Sequence, residues 1–201
     1  MGNIMKHDKI ILTDCDGVCL DWESHFHEWA SDRGLNRVQH GIYEIPATYN
    51  MSKERARELV NDFNTSSHIL TMPAFRDARS GIATLVERGW RFIAITSVSD
   101  DPVVAKLRTM NLEYLFGGEA FIDVQCLEMG IDKDEALMPY MDSGMWWIED
   151  KDINAITGAN MGLNTILMDH LHNKHVSDPR IKRVENWAQI VDVIDGSYSS
   201  P

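Results

Sequence analysis

The chain is 201 residues long, 44% hydrophobic and 25% charged, an ordinary globular composition with room for one substantial core and a small accessory domain. Its 19 Lys and Arg against 31 Asp and Glu leave a formal charge of −12, which repels phosphate backbones and argues against a long nucleic acid as partner. Three cysteines, Cys15, Cys19 and Cys126, cannot all pair and lack CxxC spacing, so neither a disulfide framework nor a zinc site is expected, and the expected compartment is reducing.

The opening "MGNIMKHDKI" has no apolar stretch of signal-peptide length, and no later run approaches membrane-spanning length. The expectation is a soluble, cytoplasmic protein with no membrane partner. Ile10 to Thr13 is a β-branched apolar run that suits a buried strand, and it ends in "DCDGVCLDWE", where Asp14, Asp16, Asp21 and Glu23 fall within ten residues. Trp22 to Asp32 reads as a helix ending near Gly34, and "SKERARELVNDF" as another, opened by the polar cap Ser52. A helix from about Arg76 to Arg88 stops at Gly89, and "RFIAIT" follows as the second buried strand. Thereafter the rhythm is regular. Helix "DPVVAKLRTM" leads to strand "EAFIDVQC", helix "KDEALMPYM" to strand "MWWIED", and helix "INAITGANM" to Gly162 and strand "NTILMD".

This alternation predicts an α/β fold with a parallel five-stranded sheet flanked by helices on both faces. Residues 1–16 and 81–201 are expected to form that core. Residues 17–80 are helical and interrupt the rhythm between strands one and two. They read as a small helical cap over the C-terminal edge of the sheet, where ligands of open α/β sheets bind.

Asp14 and Asp16 close strand one, Thr96 and Ser97 close strand two, and Glu149 and Asp150 close the "MWWI" strand, so all six should gather along that edge. Gly17 lets the chain turn away directly after Asp16. An EF-hand needs a further acidic or amide position before its glycine and a preceding helix, which this stretch lacks. Polar turns remain the plain alternative for Asp14 and Asp16 taken alone. Together these groups could do phosphoryl chemistry, since a carboxylate can attack phosphorus and split a difficult hydrolysis into two easier steps. Four carboxylates repel a phosphate dianion, so a hard divalent cation, Mg²⁺, is required. With Mg²⁺ and one lysine, neutrality calls for one protonated acid. Asp16 is the candidate, because like-charged neighbours raise its pKa and a protonated acid beside the leaving oxygen is what ester cleavage needs.

The pattern resembles the haloacid dehalogenase (HAD) superfamily of phosphotransferases, whose four signatures stand in order as "DCDG" at Asp14, "FIAITS" at Thr96, a helix-opening Lys133, and "WWIEDKD" at Glu149. The resemblance implies a HAD-like Rossmannoid core with Asp14 as nucleophile and Asp16 as general acid and base. Thr96 and the Ser97 backbone would bind phosphate, and Lys133 would neutralise the pentacoordinate oxygens. Asp14, Asp150 and the backbone carbonyl of Asp16 would hold Mg²⁺, assisted by Glu149. Over more of the chain, "DCDGVCLDWE", "ITS", "IEDKD", "HLHNKH" and "ENWAQIVDVI" resemble the 5'(3')-deoxyribonucleotidases. That resemblance implies a nucleobase contact at Trp22, with Tyr43 as a poorer match to a second cap aromatic. Glu149 departs from it by replacing an Asp, and the cap differs enough that base preference does not transfer.

Several residues also have plainer readings. Trp22 could be cap packing, and Phe26, Met72 and Phe75 suit packing roles. Lys106 competes with Lys133 but falls in a helix interior, where a solvated face is the default. His170, His172 and His175 alternate with other residues in a loop, which suits substrate orientation better than a metal cluster. Cys15 should point away from the two acids, and Trp146 and Trp147 read as core. The expected activity is Mg²⁺-dependent hydrolysis of a small phosphate ester, a deoxyribonucleoside monophosphate by preference. A sugar phosphatase, a nucleic-acid end phosphatase and a HAD-fold binding protein without turnover are the rivals, and the chain could assemble as a homodimer.

Overall fold

A computed structural model describes residues 9–40, 42 and 44–196. Six strands, β1 (Ile10–Thr13), β2 (Arg91–Thr96), β3 (Phe121–Cys126), β4 (Trp146–Glu149), β5 (Asn164–Met168) and β6 (Ile181–Val184), form one sheet in the order β3-β2-β1-β4-β5-β6. Every neighbouring pair is parallel. The class is the expected one, with six strands where sequence periodicity marks five. The sixth, "IKRV", places exposed Lys182 at its centre and fully buries Val184 alone, so it lacks the apolar run that betrays a buried strand. It pairs with β5 from Thr165↔Ile181 to Met168↔Val184 as an edge strand, which needs only one covered face.

The central strands are apolar on both faces because helices cover both. Ile11, Ala94, Ile148 and Ile166 face one apolar cluster, while Leu12, Ile95 and Trp147 face another. The covering helices are α4 (Ala78–Glu87), α5 (Pro102–Phe116), α6 (Asp134–Leu137), α7 (Asp152–Asn160) and α8 (Trp187–Ile194). Helix α5 begins where Asp101 accepts a hydrogen bond from Val103 N at 2.7 Å and Pro102 takes the first turn. It runs six residues beyond the expected "DPVVAKLRTM", through "NLEYLF" to Gly117.

Between β1 and α4 lie α1 (Trp22–Ser31), α2 (Ile45–Tyr49), α3 (Lys53–Asn64) and a 3-10 turn at Ser67–Thr71. Asp21 caps α1 by accepting from Ser24 N, and Ser52 caps α3 by accepting from Arg55 N. Phe26, Trp29 and Phe63 meet at centroid distances of 5.4–5.9 Å and tie α1 to α3. The two segments that join this block to the sheet bond to each other, Asp21 N donating to Pro73 O and Phe75 N to Cys19 O, each at 2.9 Å. Phe26 and Phe63 belong to the same apolar cluster as Ile11 and Ile148, so the helical block and one face of the sheet share a core.

From β1 the chain builds outward through β2 and β3 on one side, and through β4, β5 and β6 on the other. The order therefore reverses beside β1, and the crevice at its C-terminal end is where open α/β sheets hold ligands. Among the described residues no helix is long and apolar enough to cross a membrane.

Candidate active site

Asp14 leaves β1 with its amide still paired to the sheet, donating to Ile148 O at 2.8 Å. Its Oδ1 accepts from its neighbour Cys15 N at 2.7 Å and takes Lys133 Nζ at 2.8 Å. Lys133 stands at the start of α6, only 2% exposed, and donates at 2.9 Å to Glu149 Oε2 as well. An ammonium thus sits between two buried carboxylates. Burial alone would discharge Lys133, but Asp14 and Glu149 outweigh it and hold its pKa above the usual lysine range.

The second oxygen of Glu149, Oε1, accepts from Asp150 N and Lys151 N, each at 3.0 Å. Glu149 therefore ties down Lys133 with one oxygen and the turn after β4 with the other. That turn delivers Asp150, whose carboxylate packs against Gly17: a Cβ at position 17 would meet Asp150 Oδ2 at 2.4 Å. Gly17 has φ +76, so both its backbone and its missing side chain are used here. Burial, followed by the Glu149 charge, lifts the Asp14 pKa to about 7. Burial, followed by the Asp14 charge, lifts that of Asp150 to about 7.

Carboxylate oxygens of Asp14, Glu149 and Asp150 lie within 4.8 Å of one another. Lys133 takes Asp14 Oδ1 at 2.8 Å, and His172 Nε2 approaches Asp150 Oδ2 at 3.6 Å. Buried hard oxygens short of positive charge are the donor set that a hard divalent cation such as Mg²⁺ takes. The residues present fit that ion, with Asp14 and Asp150 lining the cavity and Glu149 beside them.

Asp16 meets a partner that sequence reasoning missed. Arg108, on α5 and 0% exposed, donates from Nη2 to Asp16 Oδ2 at 3.0 Å and brings Nη1 to 2.9 Å from Oδ1. The Nη1 contact is close in distance but poorly aligned, leaving Asp16 Oδ1 and Arg108 Nε without a hydrogen bond among the described residues. Burial raises the Asp16 pKa most, with Arg108 opposing and Asp14 adding to the rise. The charge count changes accordingly. Lys133, Arg108 and one divalent cation balance Asp14, Asp16, Glu149 and Asp150, so a proton on Asp16 would be held by burial and by the charge of an incoming phosphate rather than by the balance of the empty site. One signal could have found Arg108: it lies on the buried stripe Val104, Arg108, Leu112 at helical spacing, where a charge needs a partner.

Thr96 ends β2 buried, and Ser97 donates its hydroxyl to Ile131 O at 2.9 Å, fastening the loop beyond β3. Lys106 is exposed on α5, away from this cluster. Trp22 stacks on Phe26 at 4.7 Å, and its Nε1 donates to Asn64 Oδ1 at 2.9 Å. Tyr43 lies outside the described residues. The histidine loop braces the site: His170 Nε2 is 2.8 Å from Gly17 O and His172 Nε2 is 3.0 Å from Asp150 O. Asn173 Nδ2 also donates to Asp150 O, at 2.7 Å. His170, His172 and Asp150 are close enough to form a second ligand group, yet both Nε2 atoms face carbonyl oxygens. His175 pairs with Asp152 farther out.

A cavity of about 1180 Å³ opens between the sheet edge and the helical block. Asp14, Asp16, Thr96, Ser97, Lys133 and Asp150 line its floor, and Trp22, Ala56, Val60 and Asn64 line the opposite side.

No protein-family model matches the chain. An uncharacterized 32.4 kDa protein of Enterobacteria phage T4 is 31% identical over 132 residues, which are 62% of this chain and 47% of that protein. The match thus spans about half the length of the relative. A haloacid dehalogenase-like family hydrolase from Streptococcus pneumoniae is similar in structure at TM-score 0.65 and 12% identity, over 92% of this chain and 98% of that one. The D,D-heptose 1.7-bisphosphate phosphatase from B. bronchiseptica, solved with magnesium and phosphate, is similar at TM-score 0.57 and 12% identity, over 94% of this chain and 99% of that one. These likenesses show the fold, which is HAD-like.

Proposed function

We propose that the chain is a Mg²⁺-dependent phosphomonoesterase that works through an aspartyl-phosphate on Asp14. The observation that carries this reading is the buried Lys133 held between Asp14 and Glu149, with Asp150 beside them, on the floor of a cavity at the C-terminal edge of a HAD-like sheet. The similar solved structure with magnesium and phosphate bound adds to it.

In this reading Asp14 and Asp150, with the Asp16 backbone carbonyl, hold Mg²⁺, while Glu149 acts by anchoring Lys133 and the turn. When bound, Mg²⁺ would offset the charge of a phosphate and polarise its oxygens. An Asp14 oxygen attacks phosphorus in line, the bond to the ester oxygen breaks, and its electron pair takes the proton carried by Asp16. Water then attacks the aspartyl-phosphate, gives a proton to Asp16, and restores the Asp14 carboxylate. Lys133 and Thr96 hold charge and hydrogen bonds on the transferring group.

The preferred substrate is a deoxyribonucleoside monophosphate. Trp22 lines the cavity with its ring oriented by Phe26 and Asn64, and the cavity has room for a base and sugar. A sugar phosphate is the second reading, favoured by the polar side of α3, where Lys53, Arg57 and Asn64 also line the cavity.

Phosphate release from deoxy- and ribonucleoside monophosphates, sugar phosphates and an aryl phosphate, with Mg²⁺ and with chelator, tests the proposal. The expected result is Mg²⁺-dependent release that Asp14→Asn abolishes; normal turnover by that variant would refute the covalent mechanism. Trp22→Ala should lower nucleotide turnover by about 10-fold or more, the value of one stacked base, and spare the aryl phosphate. Equal losses on both would favour the sugar phosphate.

A further inference from the structure

A fully buried guanidinium pointing at a candidate acid calls for an explanation that stability does not supply. Buried ion pairs are often no better than well-packed apolar side chains of the same volume. This pair is also imperfect as a stabilising contact, since Arg108 Nε and Asp16 Oδ1 have no hydrogen bond among the described residues. Arg108 is fully buried, and its Nη1 lies 3.5 Å from Met72 Sδ. What the pair does well is orient. Nη2 on one Asp16 oxygen and Nη1 beside the other restrain both side-chain torsions of the aspartate.

Arg108 is itself held firmly. One turn along α5, Asn111 Nδ2 donates to Leu70 O at 3.0 Å and to Met72 O at 2.9 Å, locking the helix to the segment that leaves the helical block. That segment pairs through Ala74 with Leu20, and Leu20 O accepts from Gly17 N beside Asp16. The backbone and the side chain of Asp16 are thus placed from the same direction.

We propose that Arg108 is a positioning residue for the general acid: it holds the Asp16 carboxyl in one orientation at the cavity floor and so sets the line along which its proton reaches the ester oxygen. The inference rests on the phosphomonoesterase reading above. In ester cleavage the bond from phosphorus to the ester oxygen breaks, the new bond from phosphorus to Asp14 forms, and the proton leaves Asp16 for the departing oxygen. An alkoxide needs that proton, whereas 2,4-dinitrophenolate departs without it. Misplacing Asp16 should therefore matter in proportion to the basicity of the leaving group, which a merely structural arginine would not produce.

The test is the pre-steady-state release of the alcohol or phenol, which isolates ester cleavage from hydrolysis of the phospho-enzyme. The substrates are 2,4-dinitrophenyl phosphate and deoxythymidine monophosphate, or whichever alkyl phosphate the wild type cleaves. Arg108→Met should slow the alkyl ester by roughly 100-fold, the low end of what a positioned general acid contributes, and the dinitrophenyl ester by no more than about 3-fold. Added to Asp16→Asn, it should cost the alkyl ester no more than about 2-fold further, because both changes remove one function. If Arg108→Met does not fold, Arg108→Lys carries the comparison, keeping the charge without the planar fork. Equal losses on both esters, or losses that multiply fully in the double variant, overturn the inference and leave the phosphatase reading standing. A wild type that cleaves neither ester with Mg²⁺ overturns the phosphatase reading, and the inference with it.

Discussion

Gly17→Ala tests the packing of the site directly, because two separate costs can be read off the structure. At φ +76 an alanine pays the left-handed penalty, about 1–2 kcal/mol. Its Cβ would also lie 2.4 Å from Asp150 Oδ2 and 2.9 Å from Cγ, where ordinary contact begins near 3.4 Å. The carboxylate must retreat by about an ångström, and pushing so short a side chain off its rotamer costs about 0.5–1.5 kcal/mol more. The total is about 1.5–3.5 kcal/mol, or roughly 3–14 °C in the melting midpoint of a chain this size. Gly34→Ala is the control, since its φ is +77 and a Cβ there would meet nothing within 4 Å. Thermal melts of both variants, each repeated across a Mg²⁺ titration, separate the two costs. Gly34→Ala should show the conformational loss alone and leave the Mg²⁺ midpoint where it is in the wild type. Gly17→Ala should melt lower and need about 10–100-fold more Mg²⁺ for the same stabilisation, as expected when a group supporting a ligand is disturbed. Equal melting of the two variants with equal Mg²⁺ midpoints would refute the reasoning.

Lys133→Met strands Asp14 and Glu149 as buried, uncompensated charges and should destabilise the chain by about 3–5 kcal/mol in urea unfolding; a loss no larger than about 0.5 kcal/mol, typical of an exposed position such as Lys53, would contradict the sandwich. The raised pKa values of Asp14 and Asp150 give a pH dependence of known sign. From about pH 4 to 7 the folded chain holds protons there that the unfolded chain has released, so the metal-free protein loses this stability as pH rises through about 7. Mg²⁺ competes with those protons and should therefore raise the melting midpoint more at pH 8 than at pH 5. A Mg²⁺ effect equal at both values, in matched melts with Mg²⁺ and with chelator, would count against carboxylate binding.

The strand ends could be read from sequence because their signals are local. "IILT" and "WWIE" are apolar runs of four residues followed at once by acids, so composition and position in the strand coincide. The choice between Lys106 and Lys133 was open to sequence only as a preference, since both fall on helices. Exposure separates them, with Lys106 on an outer face and Lys133 fully enclosed. Strand β6 escaped notice because an edge strand can bury one residue and leave lysine at its centre. Glu149, an assisting metal ligand by the resemblance, clusters with Asp14 and Asp150, and only the packed structure adds that its oxygens also hold Lys133 and two backbone amides.

By itself the sequence determined the α/β alternation, the helical block after strand one, and the line of carboxylates and hydroxyls along one sheet edge. Each follows from the side-chain periodicity of a strand or helix and from where that element stops. Only the tertiary structure decided how these charges pair. Arg108 reaches Asp16 across 92 residues, and Lys133 chooses Asp14 and Glu149, because burial removes water and leaves each charge to whatever opposite charge the packed elements bring within about 3 Å. A charge in a helix reads as solvated until the surface covering it is known, and that surface comes from parts of the chain far away in sequence.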